Sequence, residues 1–147
     1  MKKLTIVILL ASHVLMAGVG FGLGIYMLPI LIAPDSPSAV EVETIAAQAM
    51  YTTTFTKNLK GSDAFHWGEG DVSIDPQTIA LNGALAPGPD YRLYLSPTFV
   101  QDETEFLAIK DSAVEVGMVN TFDPSQYTTV VVWCESFGEF ITSGEYR

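Results

Sequence analysis

The stretch Tyr127-Thr128-Thr129-Val130-Val131-Val132-Trp133-Cys134-Glu135-Ser136-Phe137 decides how the rest of the chain is read. Threonine, valine and tryptophan dominate it, and these side chains fit a pleated surface. Val130, Val132 and Cys134 fall on one face, Val131 and Trp133 on the other. A strand apolar on both faces belongs in the middle of a covered sheet, so residues 128–135 are expected to be a central strand. By the same face rule Cys134 points into the interior, Trp133 points the opposite way, and Phe137 closes over the strand end.

Outward from that strand, short runs with a period of two are divided by Gly, Pro, Asn and Asp. They predict strands over 51–56, 70–74, 78–82, 91–96, 105–109 and 113–119, with a last one near Phe140. Asp75-Pro76-Gln77 and Pro87-Gly88-Pro89-Asp90 are turn signals. Gly88-Pro89-Asp90 reads as a turn feeding a strand, with the Asp90 carboxylate bonding nearby backbone amides. Many short strands with frequent turns predict an all-β antiparallel sandwich or barrel over residues 51–147.

The N-terminal third has a different character. Leu4 to Ile32 is 29 residues without Asp, Glu, Lys or Arg, while all 17 acidic residues lie at or after Asp35. About 20 apolar residues span a bilayer, and a cleaved signal core is shorter, about 7–15 residues. Residues 1–33 are therefore expected to be an uncleaved transmembrane α-helix lying in the lipid bilayer over 4–32. Lys2 and Lys3 precede it, which keeps the N-terminus in the cytoplasm and places the following domain outside the inner membrane, in the periplasm. Gly20/Gly24 and Gly18/Gly22 have the spacing of helix–helix contacts and are candidate points of homo-oligomerisation. His13 reads as a neutral imidazole bonded to backbone or to Ser12 of a neighbouring helix. Over 34–50, Pro34 and Pro37 break the helix, and Ser38-Ala39-Val40-Glu41 then has capping-box spacing. Val42, Ile45, Ala46, Ala49 and Met50 share one face, so 39–50 is expected to be a short amphipathic linker helix.

Beyond the span only five basic residues face the 17 acidic ones. That balance excludes nucleic acid, whose binding needs cations against phosphates. The single cysteine excludes an internal disulfide and a multi-cysteine metal site. His66 is the one histidine outside the span, so Ser/His/Asp catalysis has little support. The acidic pairs Asp102/Glu103 and Glu69/Asp71 are candidates for catalysis or calcium, with solvated charge as the default.

Two motifs carry a resemblance. Gly88-Pro89-Asp90-Tyr91-Arg92-Leu93-Tyr94-Leu95-Ser96, followed by Tyr127 to Trp133-Cys134-Glu135-Ser136-Phe137, resembles the electron-transfer DM-thirteen domain family. Phe65-His66-Trp67-Gly68-Glu69-Gly70 looks like the domain's opening segment, and one helix, a linker and one such domain resembles bacterial single-pass members. The resemblance implies a fold in the style of sandwich domains that bind haem or sugar. It implies a redox role centred on Cys134, as a thiol or as a haem ligand, with His66 as a second candidate ligand and a redox partner protein. The motif residues Gly88, Pro89, Asp90, Trp133, Glu135 and Phe137 are expected to be structural. A strand-forming stretch that the family carries between Phe122 and Asp123 is missing here. The competing reading is a non-enzymatic β-sandwich that binds or scaffolds, with Cys134 structural and no catalytic activity of its own. Glu135 and Glu139 beside Cys134, with no nearby cation in sequence, disfavour a reactive thiolate.

Overall fold

The computed structural model describes residues 2–32, 36–117 and 122–147. Helix α1 spans Lys3–Ile32 and is apolar on every side, with no buried residue of its own. It continues through Pro29. Within α1 the His13 Nδ1–H donates to the Leu9 carbonyl at 2.7 Å, and Ser12 Oγ donates to the same oxygen at 2.8 Å. The imidazole Nδ1–H is thus satisfied by its own helix. The helix break expected at Pro34 lies outside the described residues.

The second unit begins with α2, Ala39–Gln48. The capping box forms as its spacing predicts: Glu41 N–H donates to Ser38 Oγ at 3.3 Å, and the Glu41 carboxylate accepts the Ser38 N–H at 2.8 Å. Among the described residues seven strands follow: β1 Tyr51–Phe55, β2 Gly68–Ile74, β3 Ile79–Leu85, β4 Tyr91–Ser96, β5 Val114–Glu115, β6 Thr129–Cys134 and β7 Glu139–Glu145. They form two antiparallel sheets, ordered β1-β2-β3 and β5-β4-β6-β7. α2 lies against β2 and β3.

Alternation along each strand produces two cores. Phe55, Val72 and Ile74 of the first sheet meet Leu95, Val130, Val132, Cys134 and Ile141 of the second, which is the interior of the sandwich. The far face of the second sheet carries Tyr94, Val131, Trp133 and Phe140. Helix α3, Glu103–Ile109, covers that face and inserts Phe106. All six residues of β6 are buried because this strand is central and covered on both sides. Ordinary alternation puts Phe140 on the far face and Ile141 in the interior; Ile141 is the extra residue of a bulge opposite Val132/Trp133, and both it and Thr142 are buried.

One expected strand is a helix. The apolar run over 105–109 predicts a strand, but Asp102 caps a helix there, its Oδ1 accepting the Glu105 N–H at 2.8 Å. The strand expected over 113–119 is confined to Val114–Glu115 among the described residues, and residues 118 and 119 lie outside them. The missing stretch before Asp123 borders residues 118–121, also outside the described set; beyond it Pro124–Gln126 forms a 3₁₀ turn.

Candidate functional site

Residues from three of the motifs, Trp67, Tyr91 and Cys134, meet at one end of the sandwich. Tyr91 opens β4 directly opposite Cys134, which closes β6. The Tyr91 hydroxyl donates to the Ala86 carbonyl at 2.5 Å, and the Ala86 N–H donates to the Trp67 carbonyl at 2.9 Å. Three separated sequence motifs are thereby joined through hydrogen bonds and one cross-strand pair. Burial first, and then the neighbouring Cys134, push the Tyr91 phenol up to about 12.

Cys134 is 2% exposed and packs with Val130, Val132 and Leu95. A thiol so enclosed cannot meet a second protein's disulfide without local opening. His66 lies in the β1–β2 connection. Its Nδ1 contacts the Asp63 carboxylate at 3.0 Å, and Asp63 also accepts the Phe65 and His66 N–H groups at 2.7 and 2.8 Å. These bonds, the Phe65 amide foremost, hold the Asp63 carboxyl below its usual range. No hydrogen bond or core contact joins His66 to Cys134 among the described residues.

The chemistry of this end therefore fails the fit for haem. A porphyrin needs a slot beside its ligand, whereas protein interiors leave gaps smaller than a side chain. Cys134 sits inside such an interior. Among the described residues no three His, Cys, Asp or Glu side chains converge to hold a metal ion. A surface groove of about 470 Å³ lies at Thr54–Asn58, Glu69 and Gly70, away from both residues.

Two expectations about neighbouring residues need correction. The Asp90 carboxylate bonds side chains, accepting from Arg92 Nε and Ser136 Oγ, each at 3.2 Å; its backbone carbonyl accepts the Glu135 N–H at 3.0 Å. Asp90 ties the β4 start to the β6–β7 turn, and amides are not its partners among the described residues. Phe137 is 58% exposed, because it sits in that turn after the strand has ended. Gly88 and Pro89 lie in the β3–β4 connection.

The opposite face of β6 brings the motif residues Tyr94, Trp133 and Glu135 together with Phe106, Lys110 and Glu115, which no motif announced. Trp133 is 2% exposed and Tyr94 6%. Phe106 of α3 touches both rings, with centroids 5.2 Å from Trp133 and 5.3 Å from Tyr94. Lys110 Nζ lies 4.9 Å from the Trp133 ring and 5.4 Å from the Tyr94 ring, and bonds both Glu135 oxygens at 3.0 and 2.9 Å. That ion pair holds the Glu135 carboxyl below its usual range. The Tyr94 hydroxyl lies 3.3 Å from Glu135 Oε2 and 3.4 Å from Glu115 Oε2, while Arg92 Nη1 holds Glu115 at 3.0 Å. Burial first, then these two carboxylates, push the Tyr94 phenol up to about 12. Alternation in Tyr91-Arg92-Leu93-Tyr94 places Tyr94 opposite the Leu93 face; nothing in the sequence pairs Lys110 with Glu135.

Three of the four acidic candidates have local partners. Asp102 is a helix cap, Glu69 pairs with Lys57, and Asp71 accepts from Thr54 Oγ1 at 3.0 Å.

A family model described as electron transfer DM13 matches residues 54–146. The chain belongs to the electron-transfer DM13 family. The match runs from the end of β1 to the residue after β7, so the DM13 domain is the two-sheet unit itself. No curated relative and no solved structure matches the chain. Membership assigns the β domain to DM13; α1 is in addition long and apolar enough to cross a membrane.

Proposed function

We propose that this protein is a membrane-anchored electron-transfer accessory whose DM13 domain exchanges single electrons with a redox partner protein outside the cytoplasm. The observation that carries the reading is the DM13 match across 54–146. The anchor is α1, inserted in the inner membrane, with Lys2 and Lys3 retained on the cytoplasmic side. Contacts through Gly20/Gly24 or Gly18/Gly22 would hold two copies side by side.

Single-electron transfer fits the chemistry better than thiol exchange. Exchange needs an accessible thiolate and ordinarily a resolving cysteine. Cys134 is sealed, and the sequence contains one cysteine. The packing of Cys134 favours a second reading, a scaffolding or binding sandwich in which this thiol is a small core side chain.

Full-length protein purified from its native membrane separates the two. Redox titration followed by absorption and paramagnetic resonance should reveal a reversible one-electron transition. The oxidised protein should then be re-reduced by native membranes. A protein with no transition in either form, and no exchange with those membranes, supports the scaffold and overturns the electron-transfer reading.

A further inference from the structure

The geometry points to Tyr94 as a one-electron, proton-coupled oxidation site, with Glu135 as its proton acceptor and Lys110 as the residue that positions Glu135. This inference deepens the electron-transfer reading and rests on it for biological context. A phenol that loses an electron becomes a strong acid, so its proton must leave together with the electron. That requires a base already in hydrogen-bond reach. Among the described residues Tyr94 is the tyrosine whose hydroxyl meets a carboxylate, at 3.3 Å from Glu135 Oε2. The Tyr91 and Tyr146 hydroxyls instead donate to the carbonyls of Ala86 and Pro124, which cannot keep a proton.

The step balances with one external one-electron oxidant and no other group. A one-electron metal oxidant takes one electron from Tyr94 and is itself reduced by one. The O–H bond breaks, and its proton passes to Glu135 Oε2. The products are a neutral phenoxyl radical and a protonated Glu135. Glu115 Oε2 is a second acceptor at 3.4 Å, held by Arg92.

The surroundings keep the radical on Tyr94. Lys110 lies over Trp133 as well as Tyr94. A tryptophan that loses an electron is first a cation, and the ammonium 4.9 Å from that ring repels it. The neutral phenoxyl carries no such penalty. Phe106 walls both rings and is not oxidisable at a comparable potential. Tyr94 as a whole is 6% exposed, which shields its ring from other radicals, while the Glu135 carboxylate that takes its proton is 43% exposed and can pass that proton on to water.

The test uses the full chain in detergent, oxidised by photogenerated ruthenium(III) tris-bipyridine and frozen for paramagnetic resonance. Wild type should give a tyrosyl spectrum that is lost in Tyr94→Phe and kept in Tyr146→Phe. Glu135→Gln, which retains the phenol, should slow radical formation by about a hundredfold, the lower end of what a positioned base contributes. Lys110→Met should leave the radical but lower its yield. An undiminished signal in Tyr94→Phe overturns the site, as does an unchanged rate in Glu135→Gln. Circular dichroism checks each fold, and Glu135→Gln decides alone if Tyr94→Phe does not fold. A Tyr94 radical that native membranes never reduce would leave this site standing and refute the electron-transfer reading instead.

Discussion

Cys134 is the residue on which the family's redox character was expected to rest, and its packing makes a sharp expectation possible. Native protein should resist alkylation by a small maleimide and react fully once denatured. Cys134→Ala should remain folded and lose about 1–3 kcal/mol in urea unfolding, the scale of a small buried deletion. Rapid labelling of the native protein would show that the sandwich opens there and return Cys134 to candidacy as an exchanging thiol. Its direction was legible in the sequence, since a period of two in Val130, Val132 and Cys134 leaves no choice of face within a strand. Phe137 was not legible for the same reason reversed. Beyond the strand end the chain turns, periodicity stops applying, and the ring lies in solvent. Asp90 shows a third limit. Its motif announces a turn, but Arg92 and Ser136 became its partners through register and a turn, which local spacing does not encode.

At the level of elements, β6 and α3 mark the two extremes. β6 is strongly β-branched and long enough for its period to be unambiguous. Glu105 to Ile109 is a five-residue run whose apolar positions suit either structure, a known ambiguity of short runs. The deciding signal is Asp102, three residues before Glu105, which by sequence alone looks like half of an acidic pair. The Glu105 carboxylate also accepts the Gln101 N–H at 2.8 Å and pairs with Lys60, so the first turn of α3 is held from two sides. Asp102→Ala should therefore cost about 1 kcal/mol, the usual loss for a helix N-cap. Because α3 delivers Phe106 to Trp133, the same variant should alter Trp133 fluorescence well below the unfolding midpoint. An unchanged emission and an unchanged midpoint would show that packing of Phe106 alone fixes the helix.

Across the whole molecule, charge and topology lead to the remaining expectations. Glu135, Glu105, Asp63 and Asp123 are all held below their ordinary values, 4.5 for glutamate and 3.8 for aspartate, chiefly by hydrogen bonds. The stability that they supply is present above those values and is lost as acidification carries them through the lower folded ones. Tyr91, Tyr94 and Tyr146 are raised from 10 to about 12, so their contribution is present below 10 and falls as pH rises toward 12. Thermal melts should thus fall off at both ends, and Lys110→Met should shrink the acid limb by freeing Glu135. The difference between variant and wild type is the readout, because protonating an acidic surface also relieves self-repulsion. Equal acid limbs would show that Lys110 does not hold Glu135 in solution. The segregation of charge that was legible from the first residues leads to the last expectation. Lys2 and Lys3 precede a charge-free helix, and every acidic residue follows it. Orientation follows the basic residues close to the span, since acidic ones count for little. A reporter that works only after export, fused behind Arg147, should be active in cells, and a reporter that works only in the cytoplasm should be silent. Replacing Lys2 and Lys3 by glutamate should weaken that preference and mix the two signals. The fusion should sediment with membranes at its full length, with Met1 or Lys2 as its first residue. A mature N-terminus near residue 20 would mean that the apolar segment is a cleaved leader, and the anchor would have to be abandoned.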